Sequence, residues 1–533
     1  MAFDLWLHGA TVLDGTGAPP RRLDIGVTSD RITHLEPPRA SQVEDTTAAE
    51  TVDLTGLTLA PGFIDIHTHS DVSLLLDSRG ESKALQGVTT EVVGNCGYSA
   101  FPVHPARRHL LTDHLARLGD GPAPVTWTDF DGYAEALTDA RPAINVAVLA
   151  GHGALRIAAM DDPYGRATAE DVARMRRLLD AVLAAGAFGL STGLTHTPSS
   201  LGDPGEVAAL VEICARHDAV YATHARASAG RELEAVDEAV ETARLTGGRL
   251  QFSHLALNDP AYWGRAADAL ARFDAARAQG LDVAFDVYPY AASSSAMVQY
   301  LPEWVQEGGS AALRRHRTDD AWRQRALRDI RTGFFGGIPW HWDRIVITAA
   351  GPHDDLPGSS IAEVARRRRQ PPEEVLLDLC VELGSAAQVV LHYRTEADMT
   401  AFLAHPLSIV GSDGNALPLR AGAGQPHPRA YGTNARVLGR YVRELGLLSL
   451  PDAVHKMSAA PAARLGLRDR GRIRPGFVAD LVAFDSAVVA DRATFEEPRQ
   501  APVGVALTVV GGQIVVRDGV VRTARPGKVL RHA

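Results

Sequence analysis

The stretch Gly62-Phe63-Ile64-Asp65-Ile66-His67-Thr68-His69-Ser70-Asp71 decides the fold. Phe63, Ile64 and Ile66 form a short apolar run behind Pro61, the pattern of a buried strand. The run ends in His67-Thr68-His69. Side chains two apart on a strand point the same way, so both imidazoles leave the strand's C-terminal end on one face. There they are close enough to share a metal, for which neutral imidazole is the commonest protein ligand.

Further metal-ligand side chains stand at the ends of other strand-like runs. Residues 88–95 are β-branched and apolar and lead into Cys96-Gly97. Residues 219–223 end in His224, residues 249–253 in His254, and residues 407–412 in Asp413-Gly414. Between them lie runs at 143–150, 188–191 and 281–287. Helical segments at 169–185, 205–217, 232–246 and 262–279 carry apolar residues at three-and-four spacing. Strand and helix alternate, which predicts parallel βα units. Eight such strands from Phe63 to Asp413 suffice for an α/β fold of the (β/α)8 TIM-type barrel class, with its reactive groups at the strands' C-terminal ends. Two more strand-like runs, 344–348 and 388–393, fall after the seventh strand. They are read as part of an insertion at about 300–388, although either is able to serve as the seventh strand.

Both chain ends have a different texture, with short β-rich runs broken by Gly, Pro and Asp. Neither buries a good core alone. Residues 1–60 and 474–533 are therefore expected to pair into one small β-sandwich beside a barrel of residues 61–473. Composition fits a large soluble enzyme. The formal charge of −10 speaks against nonspecific nucleic-acid binding, and no apolar run has transmembrane length. The N-terminus has acidic Asp4 and no basic-then-apolar layout, so no signal peptide is expected. Three cysteines form no disulfide framework and point to a reducing, cytoplasmic setting.

Taken together, these motifs resemble the amidohydrolase superfamily, and within it the N-acyl-D-amino-acid deacylases (D-aminoacylases). The likeness rests on Pro61–His69, Gly94-Asn95-Cys96-Gly97, Tyr221-Ala222-Thr223-His224, Ser253-His254-Leu255, Asp286-Val287-Tyr288-Pro289-Tyr290, Gly411-Ser412-Asp413-Gly414 and His427-Pro428-Arg429. Cys96 is the specific mark, because most of the superfamily has a carboxylated lysine or a glutamate there. The resemblance implies a zinc enzyme that hydrolyses an N-acyl-D-amino acid or related small N-acyl compound. Cys96, His224 and His254 would hold a tight Zn2+. His67 and His69 would line a second, weaker site or complete the first. Asp413 would be the general acid–base group, and Arg429, Tyr288 and one of Ser293, Ser294 or Ser295 would hold the substrate.

Departures from the family pattern cluster on the loops facing the substrate. Ala256 stands where the family has a carboxylate-binding lysine, Ala227-Ser228 stand in place of acidic residues, and His196 takes a tyrosine position. His196 is therefore placed among the substrate-binding candidates, and the Ala256 pocket is expected to hold a free carboxylate poorly. Two other readings stay open: a hydantoinase- or imidase-like enzyme cleaving a cyclic amide, and a non-catalytic barrel. His152, His392 and His427 also border strand-like runs and are read as hydrogen-bonded structural histidines.

Overall fold

The computed structural model describes residues 2–38, 47–420 and 424–532. Eight parallel segments pair in chain order. They are Phe63–Asp65, Val88–Val93, Asn145–Val148 (continued by Ala150–Gly151), Gly189–Gly193, Val220–His224, Arg249–Phe252, Val283–Val287 and Ser408–Val410. The last returns to the first. Thr68 bridges Gly414 in parallel fashion, and Asp413 N donates to His67 O at 2.7 Å. The strands are buried almost throughout, as their unbroken apolar runs require.

Four of the intervening helices match the apolar periodicity. They run Ala169–Ala184, Pro204–Arg216, Glu232–Thr246 and Ala266–Ala278. The first is fixed by a capping box in which Thr168 and Asp171 satisfy each other's backbone N–H. The fourth starts later than the expected 262. Pro260–Tyr262 is a separate 3-10 turn, and Gly264 takes a left-handed φ of 83° that breaks the helix. Among the described residues no helix is long and apolar enough to cross a membrane.

The two extra runs before the eighth strand are not the seventh. Ile345–Ala349 and Gln388–Leu391 pair antiparallel with each other, and Ser293–Ala296 joins the second of them. This sheet packs its own core of Ile347, Val389, Leu327, Ile330, Val375 and Leu379. The insertion is thus wider than 300–388, because three serines with little apolar character form its first strand. The chain ends also differ in detail from expectation. Strands from Ala2–Val12 to Thr58–Pro61 join Leu481–Phe484 and its successors in one continuous nine-stranded sheet, where two stacked sheets were expected. The tail then leaves that sheet. Val529 bridges Val146, and Leu530 N donates to Val146 O at 2.8 Å, so the last residues lie along the third parallel strand.

A buried ion pair joins the first and last parallel strands. Lys83 Nζ donates to Asp65 Oδ2 at 2.9 Å, to Ser412 Oγ at 2.6 Å and to Gly414 O at 2.9 Å. Asp65 Oδ1 accepts from Ser412 N at 2.8 Å. Both charged side chains are excluded from solvent. Removing one partner of such a pair strands the other charge and costs about 3–5 kcal/mol. Lys83→Met is therefore expected to lower the midpoint of chemical denaturation by that equivalent. A midpoint equal to that of the unsubstituted protein would show that the pair does not hold these strands.

Candidate metal centre and substrate pocket

Cys96, His254 and Asp413 each follow a parallel strand by a few residues, and each has a left-handed backbone, with φ of 52°, 37° and 54°. For residues with a Cβ this region is costly, and such residues gather at functional sites. The turns bend the chain sharply inward, so the three side chains converge over the ends of the strands. Gly94, at φ 83°, makes the turn before Cys96 possible. A Cβ there would lie 2.1 Å from Leu149 O.

The side chains of His67, Cys96, His254 and Asp413 each offer a ligand atom within 4.8 Å of the others, and those of Cys96, His196 and His224 do the same. Cys96 Sγ lies 3.3 Å from His67 Nε2 and 3.4 Å from His254 Nε2. His69 Nε2 is 2.9 Å from Asp413 Oδ1. The grouping differs from the expected one, in which Cys96, His224 and His254 form the tight set. Here His254 groups with His67 and Asp413, and His224 groups with His196.

These residues fit a zinc ion. His67 Nδ1–H donates to Asp286 Oδ1 at 3.0 Å, which leaves the Nε2 lone pair toward Cys96. With Nε2–H of His224 donating to Thr195 Oγ1 at 2.6 Å, its buried Nδ1, which has no partner, keeps a free lone pair. One nitrogen pinned and the other free is the arrangement of metal-ligating histidines. Protonation states agree only in part: against burial, Asp286 and Cys96 hold His67 well above its ordinary pKa, and Asp413 and Cys96 raise His69 to about 9, so zinc would displace a proton from each. Burial alone would raise the Cys96 thiol, but the charges of His67 and His254 hold it well below its ordinary pKa. Burial likewise opposes ionisation of Asp413, yet the Arg429 guanidinium and His67 keep it well below the usual carboxylate range. Burial, with His196 and His254 nearby, pushes His224 down to about 3. Thiolate, carboxylate and neutral imidazole are the forms that bind metal.

The cluster forms one wall of a cavity of about 170 Å³ that opens to solvent. Every site residue singled out from the sequence lines it or its floor. His69, Cys96, His196, His224, His254, Tyr288, Ser293, Asp413 and Arg429 line the cavity, and His67 is fully buried behind Cys96. Arg429 differs from expectation, since its Nη1 is paired with Asp413 Oδ2 at 2.6 Å. Its guanidinium also stacks 4.8 Å from the centre of the Tyr288 ring. The Tyr288 hydroxyl is buried and has no hydrogen-bond partner among the described residues. His152 and His427 are structural. The first is held by Ser199 and Glu206, the second by Ala292 O and Arg429 N.

Three residues escaped the sequence reading. Asp286 accepts from His67 and from His254 N at 2.7 Å, while Gln251 Nε2 holds its other oxygen at 2.9 Å. Its place at the end of an apolar strand, among motif residues, was the available signal. Thr195 orients His224 and left no signal. The Arg394 guanidinium lies 4.7 Å from the centre of the Tyr288 ring, and its Nε donates to Asn258 Oδ1 at 2.9 Å. Nothing in the local sequence ties it to a pocket built by residues 138 positions earlier.

Comparison with known proteins agrees with this geometry. The profile of the amidohydrolase family matches residues 50–516. N-acyl-D-glutamate deacylase of Alcaligenes xylosoxydans xylosoxydans is 37% identical over 99% of this chain and 96% of its own. D-aminoacylase of the same organism is 35% identical over 99% of this chain and 97% of its own. The solved N-acyl-D-glutamate deacylase of Bordetella bronchiseptica, in complex with zinc and a phosphonate mimic of the tetrahedral intermediate, superposes with a TM-score of 0.83. It is 36% identical, and the match covers 100% of both chains. D-aminoacylase, solved as defining a novel subset of amidohydrolases, gives a TM-score of 0.82 at 35% identity over 99% of this chain and 100% of its own. The chain belongs to the amidohydrolase family, in its D-aminoacylase group.

Proposed function

We propose that this protein is a zinc-dependent deacylase that cleaves the amide bond of an N-acyl-D-amino acid to a carboxylate and a free amine. The observation that carries the reading is the joining, in one cavity, of the Cys96 cluster with the Asp413–Arg429 pair and the unpartnered Tyr288 hydroxyl. The eight parallel strands are read as a closed (β/α)8 barrel of residues 61–473. The reading gives the working enzyme one firmly held zinc and a second, weaker one, in a cytoplasmic setting suited to three unpaired, buried cysteines.

Cys96, His67 and His254 would hold zinc, with Asp413, His69 and His224 at the edge of the set. Zinc, when bound in such a site, polarises a carbonyl and makes water a stronger acid. The protein's own groups do the rest. Asp413 takes a proton from the attacking water at Oδ1, on its histidine side. As the carbonyl–nitrogen bond breaks, it delivers that proton to the departing amine. The Tyr288 hydroxyl, free of any other partner, donates to the oxygen of the tetrahedral intermediate. Arg429 keeps Asp413 ionised in the resting site.

Arg394 changes the expectation built on Ala256. It forms no ion pair among the described residues, and with Ala256 and Tyr288 it lines the main cavity. A guanidinium reaching in from the insertion supplies the positive charge that Ala256 lacks. Arg394 and Arg429 contact the same tyrosine ring and are the two groups suited to hold the α-carboxylate of the substrate. Two guanidiniums placed to hold a free carboxylate favour an N-acyl-amino acid over a cyclic imide.

Three measurements test this. A panel of N-acyl-D-amino acids, their L forms and cyclic imides is to be run with zinc-loaded protein, and turnover only of the imides would sink the reading. Asp413→Asn is expected to lower kcat by about a hundred- to ten-thousand-fold, the usual contribution of general acid–base catalysis. A rate near that of the unsubstituted enzyme would assign water activation to another group. Arg394→Ala should raise KM for N-acetyl-D-amino acids about ten- to a hundred-fold, the worth of one charge-assisted hydrogen bond of about 1.5–3 kcal/mol. The corresponding carboxamides should be unaffected, and equal losses on acid and carboxamide would show a structural role instead.

A further inference from the structure

The loop after the fourth parallel strand, Leu194-Thr195-His196-Thr197, lies directly over Cys96. Gly193 begins it with no room for a side chain. A Cβ there would sit 1.9 Å from Cys96 O and 2.7 Å from His196 Cδ2. His196 N donates to Gly193 O at 2.8 Å, which folds the residue back against the strand end. Its imidazole meets the His224 ring edge-on, with centroids 4.5 Å apart, and packs against Tyr98 at 5.2 Å. It is 5% exposed, and its Nδ1 has no hydrogen-bond partner among the described residues.

That last fact separates His196 from His152 and His427, though buried His114 shares it without standing in a group of metal-ligating side chains. His152 is equally buried, and both its ring nitrogens are bonded, to Ser199 at 2.8 Å and to Glu206 at 2.7 Å. A buried imidazole nitrogen without a partner is costly unless something else occupies it. Two donors stand at hand. A ring nitrogen of His196 lies in a set with Cys96 Sγ and a nitrogen of His224 whose members are all within 4.8 Å. His224 is already oriented by Thr195, the residue next to His196, and Thr195 is in turn held by Gln299 Nε2 at 3.1 Å.

From this juxtaposition, and resting on the reading of the cluster as a zinc centre, we infer that His196 is a metal ligand. With Cys96 and His224 it makes a second cation position, which adjoins that of His67, His254 and Asp413 through the shared thiolate. One thiolate and two imidazoles are a zinc donor set that leaves a fourth place open to water or substrate. The position would be separate from one built on His67 and His69, and it assigns His196 to the metal rather than to direct contact with substrate.

The test is zinc content per chain after equilibrium dialysis against buffered zinc, measured by mass spectrometry for the full-length protein. The unsubstituted protein is expected to hold two zinc ions and His196→Gln one. The second site should weaken at least tenfold, with the unfolding profile unchanged apart from the shift due to zinc. His67→Ala should retain the ion held by His196. As a guard against a merely structural effect, His196→Gly dialysed with free imidazole should regain the second ion. Two ions at unchanged affinity in His196→Gln would overturn the inference, as would a single ion in the unsubstituted protein. Failure of the unsubstituted protein to bind any zinc would instead remove the deacylase reading itself, so the two failures are distinguishable.

Discussion

The buried Lys83–Asp65 pair is the constraint on which the site depends. One ammonium group gathers Asp65 from the first parallel strand and Ser412 and Gly414 from beyond the last. His67 and Asp413 are two and one residues away from these anchors. The backbone bond from Asp413 N to His67 O then sets the two residues, proposed as general base and metal ligand, side by side. An apolar replacement of similar volume would fill the space, but nothing apolar can fix register between two strand ends by three directed hydrogen bonds.

From that seam the order spreads around the ring of histidines by hydrogen bonds from behind. Asp286 serves both His67 and His254, and it is itself held by Gln251. On the other side Thr195 serves His224 and is held by Gln299, which belongs to the insertion. The inserted domain is therefore more than a cover. Through Gln299 it reaches the Thr195–His224 pair, and Arg394, just beyond its last strand, lies at the pocket end that Ala256 leaves uncharged.

Much of this was legible in the sequence because one physical rule applies repeatedly: a parallel strand buried on both faces reads as an apolar run, and its C-terminal end is where polar chemistry emerges. His67, Cys96, His224, His254 and Asp413 each follow such a run. What was illegible lies where that rule is silent. Ser293–Ala296 carries no apolar signature, so the start of the insertion was misplaced. The tail at 527–532 pairs with a strand nearly four hundred residues away, which no local pattern announces. His196 sits on a loop, where spacing does not fix direction, so its neighbours Cys96 and His224 emerged only in three dimensions. Arg394 lines the same cavity as Ala256 from far along the chain, a neighbour that no local reading around Ala256 could supply.

The left-handed turns at Cys96, His254 and Asp413 have a consequence for how such a protein drifts over generations. Each places a Cβ where the backbone would rather have none, at a cost of about 1 kcal/mol or more per residue. Glycine would relieve that cost at all three positions, so for the fold alone these are sites of improvement, and the side chains that oppose it are the ones the chemistry needs. A lineage released from selection on activity would be carried by stability toward glycine or asparagine at these turns before most of its core had changed. Cysteine, histidine and aspartate at these turns hold conformations that the backbone alone disfavours.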